Sequence, residues 1–461
     1  MAIIVPFRGI GYNPKKIQNL SQVMAPPYDV ISPEMQDLLY RRHPQNMVRL
    51  ILNKELPEDH PQENRYARAA AFYSSWQKDE TLIRASHPQF YFLQEEFNSL
   101  ILPSAQRFSA PGRIVRQGFI GLIRLEEYGA GVVLPHEKTQ TKPRADRLSL
   151  MEACQANFSQ IFSLYTDDKG AMAPIYQKVF SSGRPALDVT DDDGVQRKVW
   201  MISDPAILRR IQEILKPMQI FIADGHHRYE TALAYREGQR RKFPKGTGRE
   251  PYNFAMMYFA AMEDRGVFIL PTHRVVNTPK GFQARSFLDQ LGSDFSIAAF
   301  DYRDGDEKSV RERLLHELAS RGEKERVLGM LLRDEKKYFL LMLKDDRAMD
   351  RAEPGISPAL KALDVNLLHI LILQKRLNIR PQDLAASKNV IYFKDPGEAA
   401  SAVQSGEGQA AFFLNPTRVY QVRDVSLAGE TMPSKSTFFY PKLLSGLVIN
   451  PLNPDEEIVA E

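Results

Sequence analysis

The sequence predicts a mixed α/β fold, and three observations lead to that prediction. Compact apolar runs, such as MQIFIAD at 218–224, are typical of buried strands. Segments with apolar residues at helical spacing, such as 65–79, alternate with these runs. Hydrophobic residues make up 43% of the 461-residue chain and charged residues 26%, which is an ordinary globular composition. At roughly 150 residues per domain, this length allows two or three domains.

We place an approximate domain boundary near residue 275, because the amino-acid composition changes beyond that point. Residues 301–352 are dense in Asp, Glu, Lys and Arg, unlike the apolar runs that precede them. The prediction is therefore one region over residues 1–275 and a C-terminal α/β region over residues 276–461.

The elements of the first region are predicted from local patterns. Ser32 followed by Pro33 is typical of a helix N-cap, and this helix is expected to run to about Arg42. MVRLIL at 47–52 is expected to be a short strand, and 65–79 an amphipathic helix. Further strands are predicted at 90–97, 117–128, 131–137, 218–224, 253–262 and 266–271, and further helices at 145–158 and 225–241.

The remaining elements lie in one connection and in the C-terminal region. Residues 128–131 are predicted to form a hairpin connection between the strands on either side. Beyond the boundary, 365–377 is a helix candidate, and 389–393 and 409–415 are strand candidates.

Charge and cysteine content exclude several classes of protein. The net charge of +4, from 61 basic and 57 acidic residues, does not favour a nucleic-acid partner. The single cysteine, Cys154, excludes a disulfide framework and a cysteine-based metal cluster within one chain. No apolar run reaches the roughly 18 residues of a membrane-spanning helix, and residues 1–10 do not have the pattern of a signal peptide. We therefore expect a cytoplasmic protein without a membrane partner.

Three predicted strands end in short polar clusters that carry the chemistry-bearing residues. These clusters are PHEKT at 135–139, DGHHR at 224–228 and PTHR at 271–274. In α/β proteins, ligands gather at the carboxyl ends of strands. The three clusters are therefore predicted to form one site, provided that the three strands are neighbours.

The second cluster is the strongest candidate for binding phosphate. Gly225 permits a tight turn, and the first amides of the following helix have no partners within the helix, so they favour an anion. His226, His227 and Arg228 add further donors, and Asp224 is a candidate ligand for Mg²⁺. The alternative is that Asp224 merely caps the helix and Arg228 pairs with a carboxylate. The cluster matches neither the Walker loop nor the dinucleotide fingerprint.

The other two clusters supply a candidate base and secondary anion contacts. Glu137 is the candidate general base toward a hydroxyl group, with His136, Lys138 and Thr139 beside it. The alternative for Glu137 is a solvated loop acid. His273 and Arg274 are a further candidate anion contact, or simply an exposed pair at a strand end.

A metal hydrolase is a bolder interpretation of the same histidines and Glu137. Histidine is a common zinc ligand, but the adjacent His226 and His227 cannot easily face one ion from a helix, and the sequence has no HExxH motif. The basic segment 236–249 is expected to be a mobile surface loop rather than a lid over phosphates or a nucleic-acid contact.

Five segments together resemble a known group, domain-of-unknown-function family 1015. They are PPYDVIS (26–32), LPHEKT (134–139), IADGHHRYETAL (222–233), LPTHR (270–274) and KSTFFYPKLLSGLVINPL (435–452), and they span almost the whole chain. That family looks like a distant member of the ParB/sulfiredoxin superfamily, which also contains the free serine kinases. The resemblance implies a ParB/sulfiredoxin-like nucleotide-binding core with large insertions, followed by the C-terminal α/β region.

The resemblance also implies roles for individual residues. The superfamily hallmark is a glycine followed by a basic pair, here Gly225, His227 and Arg228, which binds nucleotide phosphates in those relatives. Sulfiredoxins place a catalytic cysteine directly after that glycine, whereas this chain has His226. Free serine kinases carry an Asp-Gly-x-His-Arg segment and an upstream catalytic glutamate, which Asp224 to Arg228 and Glu137 resemble.

The leading hypothesis is a nucleotide-dependent phosphotransferase that acts on a small hydroxyl metabolite, with free serine as one candidate. ATP or ADP is the expected donor, with Mg²⁺ held by Asp224 and the hydroxyl activated by Glu137. The alternatives are a nucleotide-binding regulatory switch without kinase activity and a metal-dependent hydrolase.

Overall fold

The computed structural model describes residues 1–99, 112–139, 141–278, 281–303, 305–380 and 389–458, with only the backbone of 141–143. Two large sheets organise these residues, and the mixed α/β class predicted from the sequence is confirmed. No helix in the described ranges is both long enough and apolar enough to cross a membrane.

The first sheet has nine described strands and carries the candidate site. In chain order its strands are β1 (Ile4–Val5), β4 (Phe90–Asn98), β5 (Arg113–Arg124), β6 (Val133–Leu134), β8 (Ile161–Tyr165), β9 (Leu187–Thr190), β10 (Gln196–Ile202), β11 (Ile220–Asp224) and β12 (Phe254–Ala261). Within the sheet they lie in the order β6, β11, β8, β12, β5, β4, β10, β9, and β1 pairs with β5 outside this path.

The second sheet has six described strands, in the order β15, β17, β16, β19, β14, β18. They are β14 (His273–Val276), β15 (Phe295–Asp301), β16 (Val327–Leu332), β17 (Lys337–Leu343), β18 (Val390–Phe393) and β19 (Ala410–Phe413). Three short pairs complete the described strands: β2 (Ile10–Tyr12) with β3 (Leu82–Arg84), β7 (Ala156–Asn157) with β21 (Asn450–Pro451), and β13 (Phe268–Ile269) with β20 (Phe439–Tyr440).

Fourteen α-helices are described. They are α1 (Pro33–Arg42), α2 (Val48–Ile51), α3 (Arg65–Lys78), α4 (Thr141–Cys154), α5 (Ala173–Phe180), α6 (Pro205–Leu215), α7 (His226–Lys242), α8 (Ala284–Leu291), α9 (Glu307–Arg321), α10 (Arg347–Ala352), α11 (Pro358–Lys361), α12 (Asp364–Leu367), α13 (Pro396–Gln404) and α14 (Val419–Leu427). A π-helical segment, Leu368–Gln374, continues α12.

The strands β8, β11 and β12 of the first sheet are buried on both faces, which explains their continuous apolar sequences. In β12, Met257 and Phe259 belong to one hydrophobic core, while Met256 and Tyr258 belong to the other. A strand that packs on both faces needs apolar residues at every position rather than at alternate ones.

Several sequence-based predictions about local structure are wrong. The basic segment 236–249 was expected to be a loop, but it is helical as far as Lys242, where α7 ends, and Arg236 is buried. The helix expected at 145–158 ends at Cys154, before β7.

Residues 47–52 were expected to be a strand, but Val48–Ile51 forms the helical turn α2, with Val48, Leu50 and Ile51 all buried. The expected hairpin at 128–131 is a 3₁₀ turn, and β6 beyond it pairs in parallel with β11 instead of with β5. Pairing with a strand almost ninety residues away leaves no local signal in the sequence.

The last part of the chain returns to the first sheet. Arg116 of β5 donates hydrogen bonds to the carbonyl groups of Tyr440 and Pro441, at 3.2 and 2.7 Å, and Arg197 of β10 donates to Lys442 O at 2.9 Å. We call residues 440–442 the strap. The strap brings residues from the far end of the sequence to the edge of the candidate site. The domain boundary near residue 275 stays a prediction.

Candidate functional site

The site forms where the parallel strands β6 and β11 end side by side. Val133 and Leu134 pair with Ile220 and Phe221. Because the two strands run in the same direction, the segments that follow them, 135–139 and 224–228, leave the sheet at the same edge. Two of the three polar clusters predicted from the sequence are therefore neighbours.

A glycine turn joins β11 to α7. Gly225 has φ +98°, which is the left-handed conformation that glycine adopts at little cost. A Cβ atom at this position would lie 2.7 Å from Arg228 Nη2, so the arginine side chain folds closely over the turn. The turn points the amino-terminal end of α7 into a cavity that Gly225, His226 and His227 help to line.

Asp224 lies between two cations at the end of β11. Its Oδ2 accepts a hydrogen bond from Arg228 at 2.8 Å, and its Oδ1 accepts one from Lys442 Nζ at 2.6 Å. Burial alone would raise the pKa of Asp224, but the charges of Lys442 and Arg228 outweigh it and hold the pKa well below its ordinary value. Asp224 is therefore ionised and fixes both cations at the cavity. Arg228 also donates to Gln160 O, so part of its guanidinium is already engaged.

His136 and His226 are buried and neutral, and they hold the two strand ends together. His136 Nδ1 donates to Ile222 O at 2.8 Å, so its Nε2 accepts from the Thr437 hydroxyl group at 3.0 Å. The amide of His136 donates to His226 Nε2 at 3.2 Å. Burial lowers the pKa of His136 to about 4, and burial with the neighbouring His136 lowers that of His226 well below its ordinary value. Their side chains brace the site instead of supplying positive charge to a phosphate.

This burial predicts a pH dependence of stability. The pKa of His136 is about 4 in the folded chain, below the ordinary value of about 6.5 expected after unfolding. Its contribution is therefore complete above pH 6.5 and is lost as the pH falls toward 4, by up to about 1.4 kcal/mol per pH unit. We expect urea unfolding at pH 7.0 and 5.0 to show this loss, and His136→Asn to reduce it. The exposed-site control His87→Gln should keep the full dependence, and an unchanged dependence in His136→Asn would contradict the assignment.

Glu137 is the acid whose environment suits a general base. It is half-buried, and burial raises the pKa of its carboxyl group, an effect that the nearby Lys435 opposes and the Asp224 charge increases. A raised pKa makes a carboxylate a better proton acceptor while it remains ionised near neutral pH. Met432 N donates to His136 O at 2.8 Å, which positions the segment that carries Glu137.

Glu137 and Asp224 line a cavity of about 350 Å³, which we call the cationic cavity. Lysines 394, 435 and 442 line it as well. Two of these lysines contact the ring of Phe438. Lys394 Nζ lies 3.6 Å and Lys442 Nζ lies 4.3 Å from the centre of the ring, at distances typical of a cation–π interaction. Lys394 is an exposed residue, but loss of solvent around its ammonium group and the charges of Lys442 and Lys435 lower its pKa. A cavity that crowds ammonium groups in this way favours a multiply charged anion.

The other predicted site residues take different places. His227 and the exposed Lys138 line the cationic cavity. Thr139 instead donates its hydroxyl hydrogen to Glu230 of α7.

The third polar cluster contributes Thr272 to the cavity, but His273 and Arg274 begin β14 of the second sheet. His273 is buried, its Nδ1 accepts from Leu414 N at 3.3 Å, and burial lowers its pKa to about 3. Arg274 donates to Lys435 O at 3.1 Å, and burial lowers its pKa to about 10. Both side chains therefore act as internal supports, and Arg274 holds the loop that carries Lys435.

The donor set does not fit a metal ion held by Asp224. Each of its oxygens already accepts from a cation, and a divalent ion placed there would face both Lys442 and Arg228. Across the described part of the chain, no three His, Cys, Asp or Glu side chains gather so that they could hold a metal ion. Both ring nitrogens of His136 and Nε2 of His226 are engaged in hydrogen bonds, so these three atoms are not available to a zinc ion.

Lys394, Phe438 and Lys442 were not singled out from the sequence. Lys394 directly follows the strand predicted at 389–393, so it was a fourth strand end of the same kind. Phe438 and Lys442 lie in the segment 435–452 that carried the family resemblance. Nothing in the local sequence indicates their individual roles. Lys394 contacts the ring of Phe438, and Lys442 contacts that ring and Asp224, and most of these partners are far apart in the sequence.

Comparison with known proteins gives one informative match. No curated protein matches the sequence. Similar solved structures include a conserved hypothetical protein from Pyrococcus furiosus, with 11% identity, TM-score 0.28, and coverage of 67% of this chain and 87% of the other. A free serine kinase mutant in complex with ADP has 10% identity, TM-score 0.31, and coverage of 71% and 89%. SbnI with a C-terminal truncation, from Staphylococcus aureus, has 11% identity, TM-score 0.33, and coverage of 73% and 91%.

These TM-scores are too low for the structural likeness to carry an argument. A comparison with protein families gives a match at the level of sequence. The family described as "Protein of unknown function (DUF1015)" matches residues 4–366, which is well over half of the chain. The chain therefore belongs to the DUF1015 family.

Proposed function

We propose that this protein is a phosphotransferase that uses ATP or ADP to phosphorylate a hydroxyl group of a small metabolite, with free serine as the first candidate. The observation that carries the proposal is the cationic cavity, which four lysines and the start of α7 line together with the half-buried Glu137. The relation to the ParB/sulfiredoxin superfamily agrees with this proposal and stays a prediction.

Phosphoryl transfer requires mainly positioned phosphates and an oriented nucleophile. The ammonium groups of Lys394, Lys435 and Lys442 would offset the phosphate charge, and the amides of Gly225 and His226 would add the positive end of a helix. Arg228 and Asp224 would fix the turn and Lys442 in place, since their charges already pair.

Glu137 takes the proton in this scheme. As the acceptor oxygen forms its bond to phosphorus, the hydroxyl proton passes to the Glu137 carboxylate. The bond from phosphorus to the leaving oxygen breaks at the same centre, and its electron pair stays on that oxygen. The leaving group is ADP when ATP is the donor and AMP when ADP is the donor. No step is assigned to a metal ion on Asp224.

The proposal is tested by incubating the purified chain with ATP or ADP and a panel of hydroxyl compounds that includes free serine. Mass spectrometry of the mixture should detect a phosphorylated acceptor and an equal amount of ADP or AMP. Absence of a phosphorylated product with every acceptor, under conditions in which the nucleotide binds, would contradict the kinase assignment.

A nucleotide-binding regulatory switch is the second candidate, and the charge pairing at Asp224 favours it. Anionic phosphates would compete with Asp224 for Lys442 and Arg228, so binding would loosen a contact between β11 and the strap. The switch predicts that nucleotide binding lowers the protection of the strap from hydrogen exchange, without a phosphorylated product.

Lys394 gives the sharpest test of phosphate binding, because its ammonium group lines the cavity and lies 3.6 Å from the centre of the Phe438 ring. We expect Lys394→Met to weaken ADP binding by about 10- to 100-fold, the loss that fits one charge-assisted contact. Isothermal titration calorimetry measures this change. The control Lys169→Met removes an exposed lysine outside the lining of the cavity and should change the affinity by less than about threefold. Equal effects of the two substitutions would contradict the specific role of Lys394.

A further inference from the structure

A second chamber of about 290 Å³ adjoins the cationic cavity, and we call it the side chamber. The two spaces have four lining residues in common: Val30, Lys394, Phe438 and Lys442. A ligand longer than either space can therefore occupy both at once, passing the ring of Phe438.

The walls of the side chamber are largely apolar. The ring of Tyr440, from the strap, lines it together with aliphatic and thioether side chains. These side chains are Met24, Met35, Leu39, Leu270 and Leu444. Such walls suit a flat ring system, whereas a small amino acid that is charged at both ends would lose its hydration there without compensation.

Three consecutive aspartates lie at one side of the side chamber. Asp191 accepts from Arg197 at 2.6 Å, and Asp192 pairs with Arg42 at 2.6 Å. Asp193 is exposed, and partial loss of solvent together with the Asp191 charge raises its pKa. Arg42 and Arg197 line the side chamber too and offset the charges of Asp191 and Asp192, while the Asp193 carboxyl group can accept hydrogen bonds from amino groups.

We propose that the side chamber takes the base of the nucleotide whose phosphates lie in the cationic cavity. This inference rests on the proposed function and adds the position and orientation of the donor. The walls orient the ligand, because the lysines of the cationic cavity attract its phosphates, whereas the apolar walls of the side chamber would remove water from them without compensation. The apolar walls and aromatic rings hold the faces of the base, and the aspartates accept from its N–H edge.

Calorimetry with two probes separates the two spaces. ADP carries a base, whereas inorganic pyrophosphate has only the phosphate part. In the unaltered protein, we expect ADP to bind at least about tenfold more tightly than pyrophosphate, which fits one stacked base.

Two variants fill the side chamber from positions that are not fully buried, Ser21→Trp and Met35→Trp. We expect each to weaken ADP binding by at least about tenfold and to leave pyrophosphate binding within about twofold. The control Gln18→Trp, at an exposed position outside the lining of the side chamber, should leave both affinities within about twofold.

The outcomes distinguish this inference from the proposed function. If the unaltered protein binds neither probe, both are overturned. If it binds ADP no more tightly than pyrophosphate, or if both filling variants keep the ADP affinity, only the base assignment is overturned. An equal loss of ADP and pyrophosphate in both filling variants would also overturn it, because the side chamber would then not be a separate subsite.

Discussion

Replacing Glu137 with Gln is expected to lower kcat for phosphoryl transfer by about 10²- to 10⁴-fold, the usual contribution of a general base. The amide keeps the size of the side chain but cannot accept the hydroxyl proton. ADP affinity should stay within about threefold, because the phosphates are assigned to the lysines and to α7. Steady-state kinetics and calorimetry on the same preparation measure the two quantities.

The pH profile gives an independent check on Glu137. Burial raises the pKa of its carboxyl group above the ordinary glutamate value of about 4.3, so kcat should fall on the acid side as the carboxylate takes up a proton. Glu137→Gln should lack this acid limb. Glu152→Gln, at an exposed position on α4, serves as the control and should keep both the rate and the profile. Full activity in Glu137→Gln would remove the general base from the mechanism.

Replacing Glu95 with Ala is expected to lower the free energy of unfolding by about 3–5 kcal/mol. Glu95 is fully buried between two buried arginines: its Oε2 accepts from Arg116 Nε at 2.7 Å, and its Oε1 accepts from Arg197 Nε at 3.0 Å. Removing the carboxylate leaves Arg116 without this buried counter-charge and leaves Arg197 with Asp191 as its carboxylate partner. Chemical denaturation followed by circular dichroism measures the loss.

The neighbouring residue provides a matched control for this prediction. Glu96 lies next along β4 and pairs with Arg113, whose side chain is 66% exposed. Glu96→Ala should therefore cost less than about 1 kcal/mol. Similar losses in the two variants would show that Glu95 does not stabilise the fold through its buried pairs.

The same substitution should also weaken phosphate binding, because Arg116 and Arg197 hold the strap that carries Lys442. Pyrophosphate calorimetry at a temperature where Glu95→Ala remains folded detects this effect. Glu96→Ala should leave the affinity unchanged.

The sequence predicted the elements whose burial pattern is regular. The helix expected at 65–79 is α3, and the buried strand expected at 218–224 contains β11. Short apolar segments were less certain, because four to six apolar residues fit either a buried strand or a buried helical turn. The segment 47–52 is an example, since its helical turn packs its apolar residues as fully as a strand would.

The candidate site was partly predictable for a physical reason. Polar residues that directly follow buried strands lie at the edge of a sheet. The positions of Glu137 and Asp224 after two predicted strands therefore indicated that the two acids could lie close together. The same rule applied less well to His273 and Arg274, because their strand belongs to the other sheet. A strand end can be recognised from local sequence, but the sheet that the strand joins cannot.

By itself, the sequence determined that the chain is a mixed α/β protein with a glycine turn of the kind that presents helix amides to an anion. It also determined the acids, Glu137 and Asp224, at two strand ends. Only the tertiary structure decided that Lys394, Phe438 and Lys442 line the same cavity as those acids and that Arg228 and Lys442 pair with Asp224. The reason is that charge pairing and burial depend on contacts between segments far apart in the chain, and periodicity and capping signals do not record such contacts.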